Sequence, residues 1–198
     1  MKLAGLLLAA GGATRFGSPK VLATYRGEPL VRRAAHLLVS RCPAGVHVVV
    51  GASAAGVRGA LASEVASGSI TLVDNPDWAR GLSTSLVHGV SALPAVADAV
   101  LILLCDQPAV TGGDLDALIS AWQVEPALIA AAGFSDRLGP PVIIPREFWP
   151  QLAALRGDQG ARSLLEWHAE HTTVAMPHAA FDVDTPEDLA RLEAAPAQ

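Results

Sequence analysis

The chain has 198 residues, of which 51% are hydrophobic and 17% charged, a composition that excludes a disordered polymer and suits one domain with a real core. Its formal charge of −5 excludes a broad basic surface for wrapping nucleic acid. An acidic chain can still hold a polyanion where backbone N–H groups, one or two local cations and a metal supply the positive field.

A mean hydropathy of +0.37 raises the question of a membrane. No stretch approaches the roughly 20 uninterrupted apolar residues of a spanning helix. The most apolar segment, residues 89–105, is broken by Pro94 and Asp98. Cys42 and Cys105 are far apart and lack metal-ligand spacing, so they read as reduced thiols of a cytoplasmic protein.

Taken in chain order, residues 3–10 are continuously apolar, the pattern of a strand buried on both faces. With Lys2 before them and small residues after, they also imitate a short signal peptide. The glycine turn that follows favours the strand. That turn, Gly11-Gly12, leads to Arg15, Gly17 and Lys20. Glycines let a backbone approach a ligand, exposed N–H groups bind phosphate oxygens, and two cations five residues apart can reach one triphosphate. The spacing fits neither the Walker A loop nor the dinucleotide-binding fingerprint. An ordinary glycine turn with two surface cations remains the plain alternative.

A helix is expected over 29–41, with Pro29 in its first turn, then a strand at 46–50, a helix at 57–66 and a strand at 70–73. Asn75 to Ser85 form a turn and the start of a helix at 83–91, with Ser83 as N-cap. The strongest strand, 99–105, runs into Asp106-Gln107-Pro108. An acid placed just past a buried strand is costly unless compensated, and magnesium at a phosphate site is one such partner. Capping the next helix, expected at 114–122, is the other use for Asp106.

A strand at 127–132 follows, then Gly139-Pro140-Pro141 and a short strand at 142–144 that can run antiparallel. Helices at 161–171 and 186–194 close the chain, leaving a frayed tail at 194–198. Asp158 and Arg162 flank the first of these, where Asp158 suits the helix dipole and Arg162 could meet an anion. Near the second, Thr185 is set as N-cap with Pro186 and Asp188 behind it. Asp182 and Asp184 alternate along an extended segment, which puts both carboxylates on one side. Strands alternating with helices imply an α/β fold, a single-domain Rossmann-like three-layer sandwich with a mostly parallel sheet and one antiparallel strand. Ligands then belong at the carboxyl ends of the strands.

The run Leu8-Ala9-Ala10-Gly11, then Arg15-Phe16-Gly17 and Pro19-Lys20, resembles the signature loop of the MobA-like NTP transferases, with its nearest likeness to molybdenum cofactor cytidylyltransferases. The motifs Leu103-Leu104-Cys105-Asp106-Gln107-Pro108 and Asp182-Val183-Asp184-Thr185-Pro186 resemble later motifs of that family, in the family's order. The resemblance implies that Leu8 to Gly12, Gly81, Ser83 and Ser85 line an NTP site and that Arg15 and Lys20 contact its phosphates. It further implies that Asp106 holds magnesium, with manganese the other choice, and that Asp184, or less directly Asp182, completes the metal site. Gly139, Pro140, Pro141, Asp158 and Arg162 would lie on the acceptor side. The family's cytidylyltransferases carry a histidine where this chain has Pro140, which puts the acceptor in question.

The reaction implied is transfer of CMP from CTP to the molybdopterin-bound molybdenum cofactor, with a molybdenum hydroxylase or its accessory protein as partner. Other readings are a guanylyltransferase on the same cofactor, transfer to a sugar or polyol phosphate, a non-catalytic cofactor chaperone, or a dinucleotide-binding oxidoreductase. His168 and His171, and the tryptophans 78, 122, 149 and 167, form no constellation in sequence.

Overall fold

The apolar run at the N-terminus becomes β1, Leu3–Ala9, every residue of it buried. Its odd residues Leu3, Leu7 and Ala9 face one side layer and its even residues Ala4, Leu6 and Leu8 the other, so the run is apolar because both faces are covered. A computed structural model describes residues 1–12 and 16–194 of the chain.

After β1 comes a small hairpin, β2 (Thr24–Tyr25) and β3 (Glu28–Pro29), which the alternation of apolar runs is too short to reveal. Helix α1 (Leu30–Val39) follows with Pro29 at its N-cap, one position before the helix proper. Next are β4 (Val46–Val50), α2 (Ala54–Ala60), α3 (Ala62–Ala66), β5 (Ile70–Asp74) and α4 (Leu82–Ser91). The expected helix at 57–66 is thus two short ones, broken at Leu61. Then come β6 (Ala99–Leu104), α5 (Gly112–Val124), β7 (Ile129–Phe134) and β8 (Arg137–Pro145). The chain closes with α6 (Trp149–Ala154), α7 (Arg162–Trp167), β9 (His171–Ala175) and α8 (Pro186–Ala194).

Seven strands form one sheet in the order β5-β4-β1-β6-β8-β7-β9. Only β8 runs against the rest, being antiparallel to both β6 and β7, while β9 is parallel to β7. Helices α1, α2 and α5 cover one face and α4, α6 and α7 the other, giving the expected three layers. No helix among the described residues is long and apolar enough to cross a membrane.

Two departures from the sequence reading have clear causes. Strand β8 is nine residues long rather than three, because its prolines fall at a register shift: Ala132 pairs with Gly139 but Ala131 pairs with Val142. Pro140 and Pro141 have no N–H for a ladder, and the irregularity excuses them from it. Helix α7 stops at Trp167, and residues 171–175 form edge strand β9. Thr172, Thr173 and Val174 are β-branched and prefer a pleated surface, a preference stronger here than the helical spacing that precedes them.

One buried acid ties the α1 layer together. Glu64, 9% exposed, accepts from Arg32 Nε and bonds His36 Nε2, both at 2.8 Å, and takes Ser63 Oγ at 2.7 Å. Burial alone would favour the neutral acid, but the hydrogen bonds from Ser63, Arg32 and His36 outweigh it and hold the carboxyl at about 2. A carboxyl depressed in the folded state contributes stability above its unfolded value near 4.5 and loses it as pH falls toward 2. Denaturation of wild type and Glu64→Gln should therefore differ fully at pH 6 and converge between about pH 4.5 and 2. A gap that stays constant over that range would contradict the account.

Candidate active site

The register aligns the carboxyl ends of three central strands: Leu8 lies beside Leu104 and Ala9 beside Val50. The chain reverses direction of spread at β1, between β4 and β6, so a crevice opens there. It is a cavity of about 540 Å³ walled by Leu8 and Ala9 at the end of β1, Ala10 to Gly12 after it, Asp106 after β6, and residues ahead of α4.

Lys20 projects into it from a 3-10 turn at Lys20–Leu22. Its Nζ donates to Asp106 Oδ2 at 2.9 Å and to Asp184 Oδ1 at 3.1 Å. Burial works against the ammonium, but the two carboxylates more than offset it and raise the lysine above its ordinary value. Asp106 does not cap the helix after it. That task falls to Thr111 and Asp114, whose side chains and backbone N–H groups bond reciprocally at the start of α5. Asp106 Oδ1 is buried and has no hydrogen-bond partner among the described residues. An orphaned carboxylate oxygen beside an open cavity is what a divalent cation would satisfy, so these residues fit one. No cluster of three or more His, Cys, Asp or Glu that could hold a metal by itself occurs among the described residues.

Asp182 and Asp184 do not line the same cavity. The segment at 181–184 is irregular rather than pleated, and Val183 N donates to Asp106 O at 2.8 Å, pinning it. Asp184 lines the cavity with Lys20, whereas Asp182 lines a second cavity beyond. Burial, then the charges of Asp106 and Asp184, push the Asp182 carboxyl up to about 6. Thr185 and Asp188 do form the helix start, bonding each other's backbone N–H groups.

On the opposite wall, Asn75 Nδ2 donates to Thr84 Oγ1 at 2.9 Å and Ser85 Oγ at 3.0 Å, locking the turn after β5 onto α4. Gly81, not Ser83, is the N-cap of α4; Ser83 is 2% exposed and away from the cavity, its N–H spent on Gly157 O at 3.0 Å. Gly81 has φ +110°, and a Cβ there would lie 2.4 Å from Gly157 O. Gly81→Ala should therefore cost at least about 2 kcal/mol, a Tm fall of roughly 4–8 °C in thermal unfolding. An unchanged Tm would contradict this packing.

The turn held there brings Asp158 to the cavity, along with Gly81 and Ser85. Arg162 is not part of the wall and pairs with Glu166 at 3.5 Å. Gly139, Pro140 and Pro141 lie within β8, off the cavity wall; Pro140 O accepts from Gln107 Nε2 at 3.1 Å, which also donates to Ala179 O at 2.9 Å. Gln107 thus ties the Asp106 loop to the strand beyond it, a role its position in the motif did not disclose. Arg15 lies outside the described residues. His168 bonds Gln151 Oε1 and His171 sits on β9, so they share no ligand. Cys105 is buried, and burial and Asp106 push its thiol up, the condition of an inert packing residue.

Trp78 is the wall residue that sequence spacing missed. Its indole edge lies 3.0 Å from where a Gly12 Cβ would stand, and its Cβ 2.7 Å from that of Gly51. Both glycines follow strand ends, and their lack of a side chain is the signal that a bulky group packs there.

A Rossmann-like α/β sheet with a glycine loop, a buried cation and two carboxylates at its switch point belongs to the class of nucleotide-handling folds. Residues 5–173 match the MobA-like NTP transferase domain, and the chain belongs to that family of nucleotidyltransferases. It is 33% identical over 201 residues to nicotine blue oxidoreductase of Paenarthrobacter nicotinovorans, covering 95% of each chain. It is 29% identical over 174 residues to purine catabolism protein PucB of Bacillus subtilis, covering 83% of this chain and 80% of that one. Among solved structures it resembles Rv0371c of Mycobacterium tuberculosis H37Rv, with TM-score 0.82 and 26% identity over 98% of this chain and 99% of the other. A manganese complex of that protein aligns with TM-score 0.76 at 26% identity, covering 97% and 98%.

Proposed function

We propose that the protein is a divalent-metal-dependent cytidylyltransferase that moves CMP from CTP to the molybdopterin-bound molybdenum cofactor, releasing pyrophosphate. The observation that carries this reading is the Lys20 ammonium held between Asp106 and Asp184 in a glycine-walled cavity. No histidine lines that cavity among the described residues. None is needed where the nucleophile is a phosphate oxygen already ionised at neutral pH. That oxygen forms its bond to the α-phosphorus as the bond to the bridging oxygen of the β-phosphate breaks, and pyrophosphate carries the electron pair away. Asp106 and Asp184 would hold magnesium, or manganese, which when bound supplies charge neutralisation to the phosphates. Lys20, and by resemblance Arg15, would orient the triphosphate and stabilise the leaving pyrophosphate. The partner chain would be a molybdenum hydroxylase or its accessory protein, in the cytoplasm.

Trp78 would act as a wall for the nucleoside. Trp78→Ala should raise the KM for the nucleotide about tenfold and change kcat less than about threefold, the pattern of lost uniform binding. A fall confined to kcat would move Trp78 out of the binding wall.

The name of the Paenarthrobacter nicotinovorans relative favours a second reading, hydride transfer from a dinucleotide bound by the same loop. One assay separates the two. Pyrophosphate release is followed with CTP, GTP, ATP and UTP, with and without the molybdenum cofactor, alongside NADH and NADPH oxidation. Release with CTP that requires the molybdenum cofactor supports the cytidylyltransferase. Release that requires a sugar or polyol phosphate, or GTP, keeps the enzyme class and changes the substrate. Oxidation of NADH or NADPH without release supports the second reading.

A further inference from the structure

Behind the segment that carries Asp184 lies a second cavity of about 570 Å³, enclosed by the β2-β3 hairpin, α1, the loop before α5 and α8. Tyr25, 3% exposed, forms its floor, and the guanidinium carbons of Arg26 and Arg33 lie over that ring at 5.2 and 5.3 Å from its centroid. Neither arginine pairs with a carboxylate among the described residues; Arg33 spends only Nε, on Pro108 O at 2.9 Å. Arg26 is held in place at a cost. Its φ of +50°, followed by Gly27 at +82°, makes a tight hairpin turn that a non-glycine residue enters reluctantly. Its backbone N–H is anchored on Glu193 Oε1 at 3.2 Å. Arg191, also on the wall, is already committed to Asp188, and Asp188 to Thr185.

Two guanidinia beside one ring, with no carboxylate partner among the described residues, keep donor edges unspent, which an anionic group can take up. Phe181, 54% exposed, offers a flat apolar surface on the part of the wall contributed by the C-terminal segment. Asp182 on that same part disfavours a second anionic group there.

We infer that this cavity is a separate site for a small molecule with one anionic head, a phosphate or carboxylate, on a flat body. The head sits at Arg26 and Arg33 and the body along Phe181. It does not depend on the reaction proposed for the first cavity. An acceptor confined here would have residues 182–184 between itself and the nucleotide phosphates, so the site suits a ligand that is not consumed.

The probe is phenyl phosphate, titrated calorimetrically into the full chain, with benzoate as the carboxylate arm. One equivalent should bind wild type, and Lys20→Ala, which alters the first cavity, should leave the affinity within about threefold. Arg26→Asn, which tolerates the positive φ, and Arg33→Gln should each weaken binding at least about tenfold. Circular dichroism and Tm establish that each variant is folded. Loss of binding in Lys20→Ala, equal affinity in folded Arg26→Asn and wild type, or no binding of either probe to wild type at millimolar concentration overturns the inference.

Discussion

Replacing Asp106 with alanine is expected to lower pyrophosphate release by about three orders of magnitude, near 4 kcal/mol of transition-state stabilisation, in a protein that stays folded. Asp106 follows a strand whose residues are all buried or nearly so, and Val183 N reads its backbone carbonyl rather than its side chain. The carboxylate is therefore free of structural duty except toward Lys20 through Oδ2, while Oδ1 stays buried without a partner among the described residues. Alanine removes both oxygens but opens no large void in the core, since the side chain is 26% exposed to the cavity. The measurement is steady-state release with saturating nucleotide and metal, beside thermal unfolding of the same preparation. A folded variant with near-normal turnover would remove Asp106 from the chemistry.

The second large effect concerns Lys20. Lys20→Ala should cut kcat/KM by about a hundredfold, because one ammonium near a departing pyrophosphate contributes a few kcal/mol in a part-buried site. The same substitution has a second, opposite consequence. In the nucleotide-free protein the ammonium occupies the space between Asp106 and Asp184, at 2.9 and 3.1 Å, and so competes with any divalent cation. Removing it takes away one positive charge that both carboxylates contact, and a divalent cation would replace that charge. Nucleotide-free Lys20→Ala should bind manganese more tightly than wild type, by about tenfold, as read by electron paramagnetic resonance of the free ion. Weaker binding would mean that the carboxylates do not form a cation site together.

Legibility in the sequence followed the physics of burial. Strands β1, β4 and β6 were readable because a strand covered on both faces must be almost wholly apolar. The reversed strand β8 was readable only in its apolar core, since Pro140 and Pro141 look like a turn until the register shift opposite them is seen. Edge strand β9 was hidden because a half-exposed edge need not be apolar, and the hairpin β2-β3 because four paired residues carry no period.

Lys20, Asp106 and Asp184, singled out by spacing and resemblance, are brought into contact with one another through the Lys20 ammonium. Asp182 lines the second cavity and Asp184 the first, since strict alternation holds in a pleated strand and this segment is irregular. Ser83 was misplaced because a serine before a helix is usually a cap, whereas here a glycine with positive φ takes the cap and a distant carbonyl takes the N–H. The long-range partners, Gln107 with Pro140 and Ala179, or Trp78 over Gly12 and Gly51, arise from strands far apart in sequence, and single-chain spacing carries no trace of them.

The central claim is that Lys20, Asp106 and Asp184 form one site for transfer of a nucleotidyl group. It is tested most directly with CTP labelled at the α-phosphate, the molybdenum cofactor and magnesium, following where the label goes. The label should move from CTP to the molybdenum cofactor in wild type as pyrophosphate appears, and stay on CTP with Asp106→Ala. Label transfer that survives Asp106→Ala, or wild-type protein that never moves the label while oxidising NADH or NADPH, would contradict it.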